Sequence, residues 1–155
     1  MESIPPMRRA LADWEATGAQ LGKTALLGGL AQVSKEASQI EDGLAFLAAA
    51  VGHGERTGER YYESDQYRIR GELKWAHGAS NHDVEADFRR AINVARQLNA
   101  RLPQLRATIA LCRLWQQQER KEEARRALAE IYGWFSEGFD EPTLVEARQL
   151  LQTLA

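Results

Sequence analysis

The amino-acid sequence predicts an all-α fold: a solenoid of antiparallel helix pairs, with about eight helices and a period of about 40 residues. Three observations predict it. β-Branched residues are few and never form the alternating runs of strands. Apolar residues recur at helical spacing, and residues that typically end helices recur at a long, regular interval.

Two segments carry the clearest helical periodicity. Apolar residues of the first follow Asn81, and those of the second follow Arg120, each set lying on one side of a helix. These predicted core positions are Val84, Phe88, Ala91, Ile92, Ala95 and Leu98, then Ala124, Ala127, Leu128, Ile131 and Phe135. The predicted solvent-facing positions are Asp87, Arg89, Arg90, Arg96, Glu122, Arg125, Arg126 and Glu130.

Polar residues predict where several helices begin. Ser38 followed by Glu41 fits a capping box, in which each side chain satisfies the other residue's backbone N–H. Asn81 is expected to cap one further helix, and Asp140 to cap the last, with Pro142 in its first turn.

The long interval is visible in two registers. Gly18, Gly58, Asn99 and Gly138 recur at spacings of 40, 41 and 39 residues, each after an apolar stretch. Glycine and asparagine tolerate the left-handed conformation that ends helices. A second register aligns three triplets of small, large and small-to-medium residues: Gly43, Leu47 and Ala50; Val84, Phe88 and Ala91; Ala124, Leu128 and Ile131.

These registers divide the chain into one helical-repeat domain, residues 1–155. It consists of a half repeat (1–18), three repeats (19–58, 59–99 and 100–138) and a C-terminal capping helix (139–155). Helices are expected near residues 5–17, 21–35, 39–55, 59–77, 81–98, 103–118, 120–136 and 141–154.

In the last repeat, Thr108, Leu111, Cys112 and Trp115 are followed by Ala124, Leu128 and Ile131. This pattern resembles the tetratricopeptide family. The repeat is longer than the family's usual unit, and the family's helix-ending proline is absent. The resemblance implies paired antiparallel helices and a role in binding proteins or peptides.

A narrower resemblance concerns residues 57–63, 67–73 and 132–140. These segments are similar to the C-terminal helical-repeat region of large bacterial signalling ATPases of the adenylate/guanylate cyclase or transcriptional-regulator type. The resemblance implies a regulatory interaction arm, whose partner is a protein, a peptide or other domains of its own parent chain. It does not imply cyclase or ATPase activity, because neither catalytic part is present.

No residue pattern predicts catalysis, a cofactor or a metal. Gly22-Lys23-Thr24 imitates the end of a phosphate-binding loop, but position 17 holds threonine where that loop needs glycine. Cys112 occupies a core position of the repeat, so a packed thiol is favoured over a nucleophile.

The three histidines have simple explanations. His77 and His82 flank a turn and could be metal ligands only if further ligands joined them, so solvated loop residues are favoured. His53 lies near a helix end, where the helix dipole favours a cation.

The predicted binding surface is the concave face made by the first helix of each pair. Its candidate residues are Gln32, Lys35, Arg68, Glu72, Trp75, Arg106, Arg113 and Gln116. Arginines beside a tryptophan suit a carboxylate, a phosphate or an acidic peptide. Two readings stay open: a protein-interaction surface and a small-ligand or anion sensor. The alternative to both is ordinary surface, with Trp75 packed on a neighbouring helix.

Composition and charge bound the remaining classes. A net charge of −2 and a pI near 6.0 argue against nucleic-acid and membrane partners, and one cysteine excludes an intramolecular disulfide. A cytoplasmic location is expected. Met7, Leu11 and Trp14 share one apolar face of the half repeat, which a preceding repeat or a second copy of the chain could cover, and the second case predicts a homodimer through that end.

Overall fold

A computed structural model describes residues 4–155, apart from the side chains of Ile4 and Met7. Within this range the chain is all-helical, with eight helices and no strand. The helices are α1 (Ile4–Ala16), α2 (Lys23–Glu36), α3 (Ile40–Thr57), α4 (Glu63–Ala76), α5 (Asn81–Gln97), α6 (Arg101–Gln117), α7 (Lys121–Tyr132) and α8 (Pro142–Thr153).

Each helix falls where the sequence predicts one, with two larger differences in length. Helix α4 begins at Glu63 rather than near 59, because residues 58–62 form a turn. Helix α7 ends at Tyr132 rather than near 136, so Phe135 lies in the following connection, although its ring still packs against the core.

The predicted capping box at Ser38 is wrong. Ser38 has a φ of 58° and ends α2, where the N–H of Gln39 donates to the carbonyl of Ser34 at 2.8 Å. Helix α3 therefore begins without a side-chain cap. The serine closes the preceding helix instead of opening the next one.

Two other predicted caps are displaced by one residue. Ser80, rather than Asn81, caps α5 by accepting a hydrogen bond from the N–H of Asp83 at 3.1 Å. Glu141, rather than Asp140, caps α8, since its carboxylate accepts from the N–H of Thr143 at 2.8 Å. Both caps place an oxygen on backbone donors that the helix leaves unpaired.

The predicted left-handed residues are confirmed. Gly18, Gly58, Asn99 and Gly138 all have positive φ, between 52° and 76°. The sequence did not predict a second series of left-handed residues. Ser38, Gly78 and Glu119 also have positive φ, at spacings of 40 and 41 residues. Serine and glutamate are uncommon in this conformation, so these residue types did not indicate that a helix ends there.

The core forms along the predicted register, except at Leu98, a predicted core position that follows the end of α5 and is 38% exposed. All nine positions of the three aligned triplets are buried, and Leu47, Phe88 and Leu128 are fully enclosed. Asp87 contradicts the prediction of a solvent-facing position, because its side chain is 5% exposed. It pairs with Arg70 and, at 2.8 Å, with Lys74, two cations that α4 brings to it.

Helix packing follows chain order. Each helix contacts the next one, and α2 also contacts α4, α4 contacts α6, and α6 contacts α8. The even-numbered helices therefore form a continuous row, and their shared surface is called the even-helix face below. Helix α4 links the two buried clusters, contributing Ile69 and Leu73 to one and Tyr67 to the other.

Gly71 sets the approach of α4 to α5. A Cβ at this position would lie 2.6 Å from Cε1 and 2.8 Å from Cδ1 of Phe88, and 3.3 Å from Cβ of Asp87. Because the Phe88 ring is fully buried, it has no free space into which to move. The absence of a side chain at Gly71 thus permits the contact between these helices.

We predict that Gly71→Ala lowers the free energy of unfolding by about 1–2 kcal/mol, because overpacking exceeds the gain in helix propensity. Gly28→Ala is the matched control: its Cβ would meet only Gln66 Cγ at 4.0 Å, so the variant should be up to about 1 kcal/mol more stable. Urea titration followed by circular dichroism measures both. Equal changes of the same sign would contradict the close-approach argument.

Candidate functional site

An open groove runs along the even-helix face. It is lined by Lys35 of α2, Arg68 and Glu72 of α4, Arg106, Ile109, Ala110 and Arg113 of α6, and Thr143 and Glu146 of α8. Residues separated by more than 100 positions in sequence thus meet on one surface, because each even helix packs on the next.

Five of the eight predicted binding residues line this groove: Lys35, Arg68, Glu72, Arg106 and Arg113. The other three are not among its lining residues. Gln32 donates to Glu36 at 2.8 Å, and Trp75 packs edge-to-face on Phe88 of α5, with ring centroids 6.5 Å apart. Gln116 lies half-buried on α6 outside the groove. Packing of Trp75 on a neighbouring helix is the alternative that the sequence left open.

The floor of the groove is an ion-pair network centred on Arg68. The guanidinium donates to Glu72 at 2.7 Å and to Asp65 at 3.1 Å, and Lys35 reaches Glu72 from α2. Burial lowers the pKa of Arg68, but the charges of Glu72 and Asp65 outweigh it and raise the pKa above its ordinary value. Burial likewise opposes ionisation of Glu72, yet Arg68 and Lys35 hold its pKa below the usual range.

The rim of the groove is more exposed and more cationic. Arg106 donates to Asp65 at 3.1 Å, and Arg113 pairs with Glu146 of α8 at 2.6 Å. The Arg113 side chain is 55% exposed, against 15% for Arg68. Four cations (Lys35, Arg68, Arg106, Arg113) thus face three carboxylates (Asp65, Glu72, Glu146).

Sequence reasoning missed two of those carboxylates. Asp65 precedes Arg68 by three residues on one helix, a spacing at which opposite charges meet, so this pairing was readable. Glu146 of α8 pairs with Arg113 of α6, and no local sequence pattern predicts a contact between residues on different helices.

The possible phosphate-binding turn is occupied by the chain itself. The N–H of Gly22 donates to Oε1 of Glu59 at 2.9 Å, Lys23 pairs with Glu15, and Thr24 is fully buried. The backbone donor that a phosphate would need is therefore already bound to a carboxylate.

The histidines divide into two groups. His77 and His82 are exposed, as predicted. The explanation for His53 is wrong, because this side chain is buried and its Nε2 lies 3.0 Å from the carbonyl oxygen of Gln20. Its ring connects α3 to the turn before α2.

Within residues 4–155, no cluster of three or more His, Cys, Asp or Glu side chains is arranged to hold a metal ion. No helix there is long and apolar enough to cross a membrane.

We predict that Cys112 does not react with a thiol reagent in the folded protein. The residue is fully buried, its Sγ lies 3.2 Å from the carbonyl of Ala124, and burial raises the pKa of the thiol to about 12. Labelling with a chromogenic disulfide at pH 8 should be slow without denaturant and fast in urea. Rapid labelling of the folded chain would contradict the packed-thiol interpretation.

We predict that Glu72→Gln lowers the free energy of unfolding at pH 7 by about 1–2 kcal/mol, since Arg68 and Lys35 lose a partly buried partner. The carboxylate has a depressed pKa when folded, so its contribution is present above its ordinary value of 4.5 and is lost as the pH falls through the folded pKa. The stabilities of the two proteins should therefore begin to converge as the pH falls below about 4.5 and become equal below the folded pKa.

The control for this experiment is Glu122→Gln. Glu122 also pairs with an arginine, Arg125, but its side chain is 65% exposed, so the substitution should change stability far less. Urea titrations between pH 3 and pH 7 measure both variants. A loss at Glu72 that does not depend on pH would show that packing, rather than charge, is responsible.

No model of a protein family matches this chain, and no curated protein is significantly similar to it.

Proposed function

We propose that this chain is a non-catalytic protein-interaction module of tetratricopeptide-like architecture. Its helices form antiparallel pairs stacked as a solenoid, and the even-helix face is the concave, binding side. The serial contacts among α2, α4, α6 and α8 support this arrangement. So does the recurrence of left-handed residues at intervals of 39 to 41 residues in each series.

The observation that carries the proposal is the extent of the groove. Its lining residues come from four helices and run from Lys35 to Glu146. An open groove lined by four helices fits a peptide segment of a partner, whereas small substrates are usually held in enclosed, largely apolar pockets.

The distribution of charge favours an acidic segment. The carboxylates Asp65 and Glu72 lie deep, with 23% and 24% of their side chains exposed, and are each paired twice. Arg113 and Arg106 stand further out, at 55% and 35% exposed. The Arg113–Glu146 pair is solvent-exposed and contributes little, so Arg113 can exchange its partner for a ligand carboxylate.

The biological role follows from the resemblance of residues 57–63, 67–73 and 132–140. We propose that the chain acts as a regulatory arm of a multidomain bacterial signalling protein. The arm binds a partner, or another domain of the parent chain, and thereby places that partner beside the parent's effector domains.

A second candidate is a sensor of small anions on the same groove. Arg106 favours it, because its Nε is buried without a hydrogen-bond partner among the described residues. The three carboxylates oppose it, since they compensate most of the positive charge. A ligand that binds only the folded state raises the melting temperature, so a rise with millimolar phosphate, sulfate or citrate would favour the sensor.

We predict that Arg113→Glu weakens binding of groove-specific peptides at least tenfold, because the exposed cation is replaced by a carboxylate that repels an acidic peptide. The peptides are selected from a displayed random 15-residue library on the unmodified protein, and affinities are measured by fluorescence anisotropy.

The matched control is Arg125→Glu. Arg125 is 50% exposed and pairs with Glu122 on α7, so it resembles Arg113 in exposure and pairing but does not line the groove. It should leave peptide affinity unchanged. If selection enriches no peptide, or if both variants bind equally well, the even-helix groove is not the peptide site.

A further inference from the structure

The large exposed apolar side chains share one location. Among the side chains that the structure describes, six are large, apolar and exposed: Leu21, Tyr61, Tyr62, Leu98, Trp134 and Phe139. Every one lies in a connection from an odd-numbered helix to the next even-numbered one, that is in residues 17–22, 58–62, 98–100 or 133–141. Tyr61 is 79% exposed and Trp134 62%.

Direct contacts place these four connections side by side. The N–H of Gly22 donates to Glu59, linking the first to the second. Arg60 donates to Gln97 at 3.2 Å, linking the second to the end of α5. Arg101 stacks on Trp134, with Cζ 3.8 Å from the ring centroid, linking the start of α6 to the fourth connection. We call this row the aromatic edge.

The opposite connections have a different composition. Residues 37–39, 77–80 and 118–120, which lead from even to odd helices, hold only small or polar side chains. Arg120 there forms ion pairs with Glu85 and Glu123. Scattered apolar residues on a surface are ordinary, but segregation of all six to one edge is what an interaction surface looks like.

We propose that the aromatic edge is the interface of a homodimer, covered by the same edge of a second copy. A two-fold axis near Leu98 pairs five of the six side chains and leaves Leu21 outside the interface, and the exposed parts of those five amount to on the order of 600 Å² per copy, before neighbouring polar atoms are added. A standard interface buries roughly 800 Å² per partner, so the edge is large enough to hold a stable dimer. Tyrosine, tryptophan and arginine are also the residues enriched in such interfaces.

The distribution of charge along the aromatic edge favours a second copy of the chain as its binding partner. In the second connection, the exposed charge is Arg60, 43% exposed, because Glu59 is 12% exposed and bonded to Gly22. In the fourth connection, Glu137 and Asp140 are exposed and form no ion pair within residues 4–155. A two-fold axis near Leu98 would set Arg60, Tyr61 and Tyr62 of one copy against the fourth connection of the other, twice over.

The pairing of Arg60 with Glu63 in the single chain does not prevent this arrangement. That pair is an exposed contact between residues three apart on one helix end, and such pairs contribute little. Arg60 can therefore turn to a carboxylate of the second copy. This inference does not depend on the groove of the even-helix face.

A charge exchange tests the proposal. Sedimentation velocity and light scattering of the unmodified chain, from 1 to 500 μM, should show a monomer–dimer equilibrium. Arg60→Glu alone, and the double variant Glu137→Lys, Asp140→Lys alone, should each raise the dimer Kd at least tenfold, because like charges then meet at both contacts. An equimolar mixture of the two variant proteins should recover the dimer, since both contacts again join opposite charges.

Three further variants distinguish this interface from competing ones. Trp14→Glu should leave the dimer intact, and its loss in that variant alone would move the interface to the N-terminal half repeat. Tyr61→Ala should weaken the dimer, whereas Ala79→Ser on the opposite edge should not. A chain that stays monomeric to 500 μM, a dimer indifferent to all the edge variants, or a mixture that fails to recover would each overturn the proposal. Retained helical circular dichroism shows that each variant is folded.

Discussion

The apolar faces of helices α2 to α8 are buried only because neighbouring helices cover them. The enclosed side chains Leu47, Phe88 and Leu128 belong to α3, α5 and α7, and each is covered by the helix before it or after it. The need to bury these apolar faces fixes how closely the helices approach, as at Gly71. It also leaves the opposite sides of the even-numbered helices exposed on one common surface. The charged groove is a consequence of that packing, because its residues reach one surface only when α2, α4, α6 and α8 lie in series.

Much of the fold was readable from sequence because helical periodicity and burial are local properties. The predictions failed for residues whose burial or conformation depends on more than the periodicity of their own helix. Asp87 reads as a solvent-facing residue on the period of α5 alone, and Arg70 and Lys74 of α4 make its burial possible. Ser38 reads as a helix start from its type, but its backbone adopts the left-handed conformation that ends α2.

The candidate site was predictable to a similar depth. Lys35, Arg68 and Arg106 lie on the first helices of successive proposed repeats, so one rule placed them on one surface. Trp75 sits on the same helix as Arg68, yet its ring turns toward Phe88, since a large apolar surface gains more from burial than from exposure beside arginines. The carboxylate Glu146 depends on how α8 packs against α6, which no helical period encodes.

Contacts confined to the next helix and the next but one have a consequence for how the chain folds. Contacting segments lie close together in sequence, so closing the loops between them costs little entropy and folding should be fast for a protein of this length. Among the described residues, helix α1 packs its backbone only against α2 and should be the first element to exchange its amide hydrogens, whereas α4 and α6 are held by several neighbours. Loss of order would then spread inward from the N-terminal helix, with the middle of the array melting last.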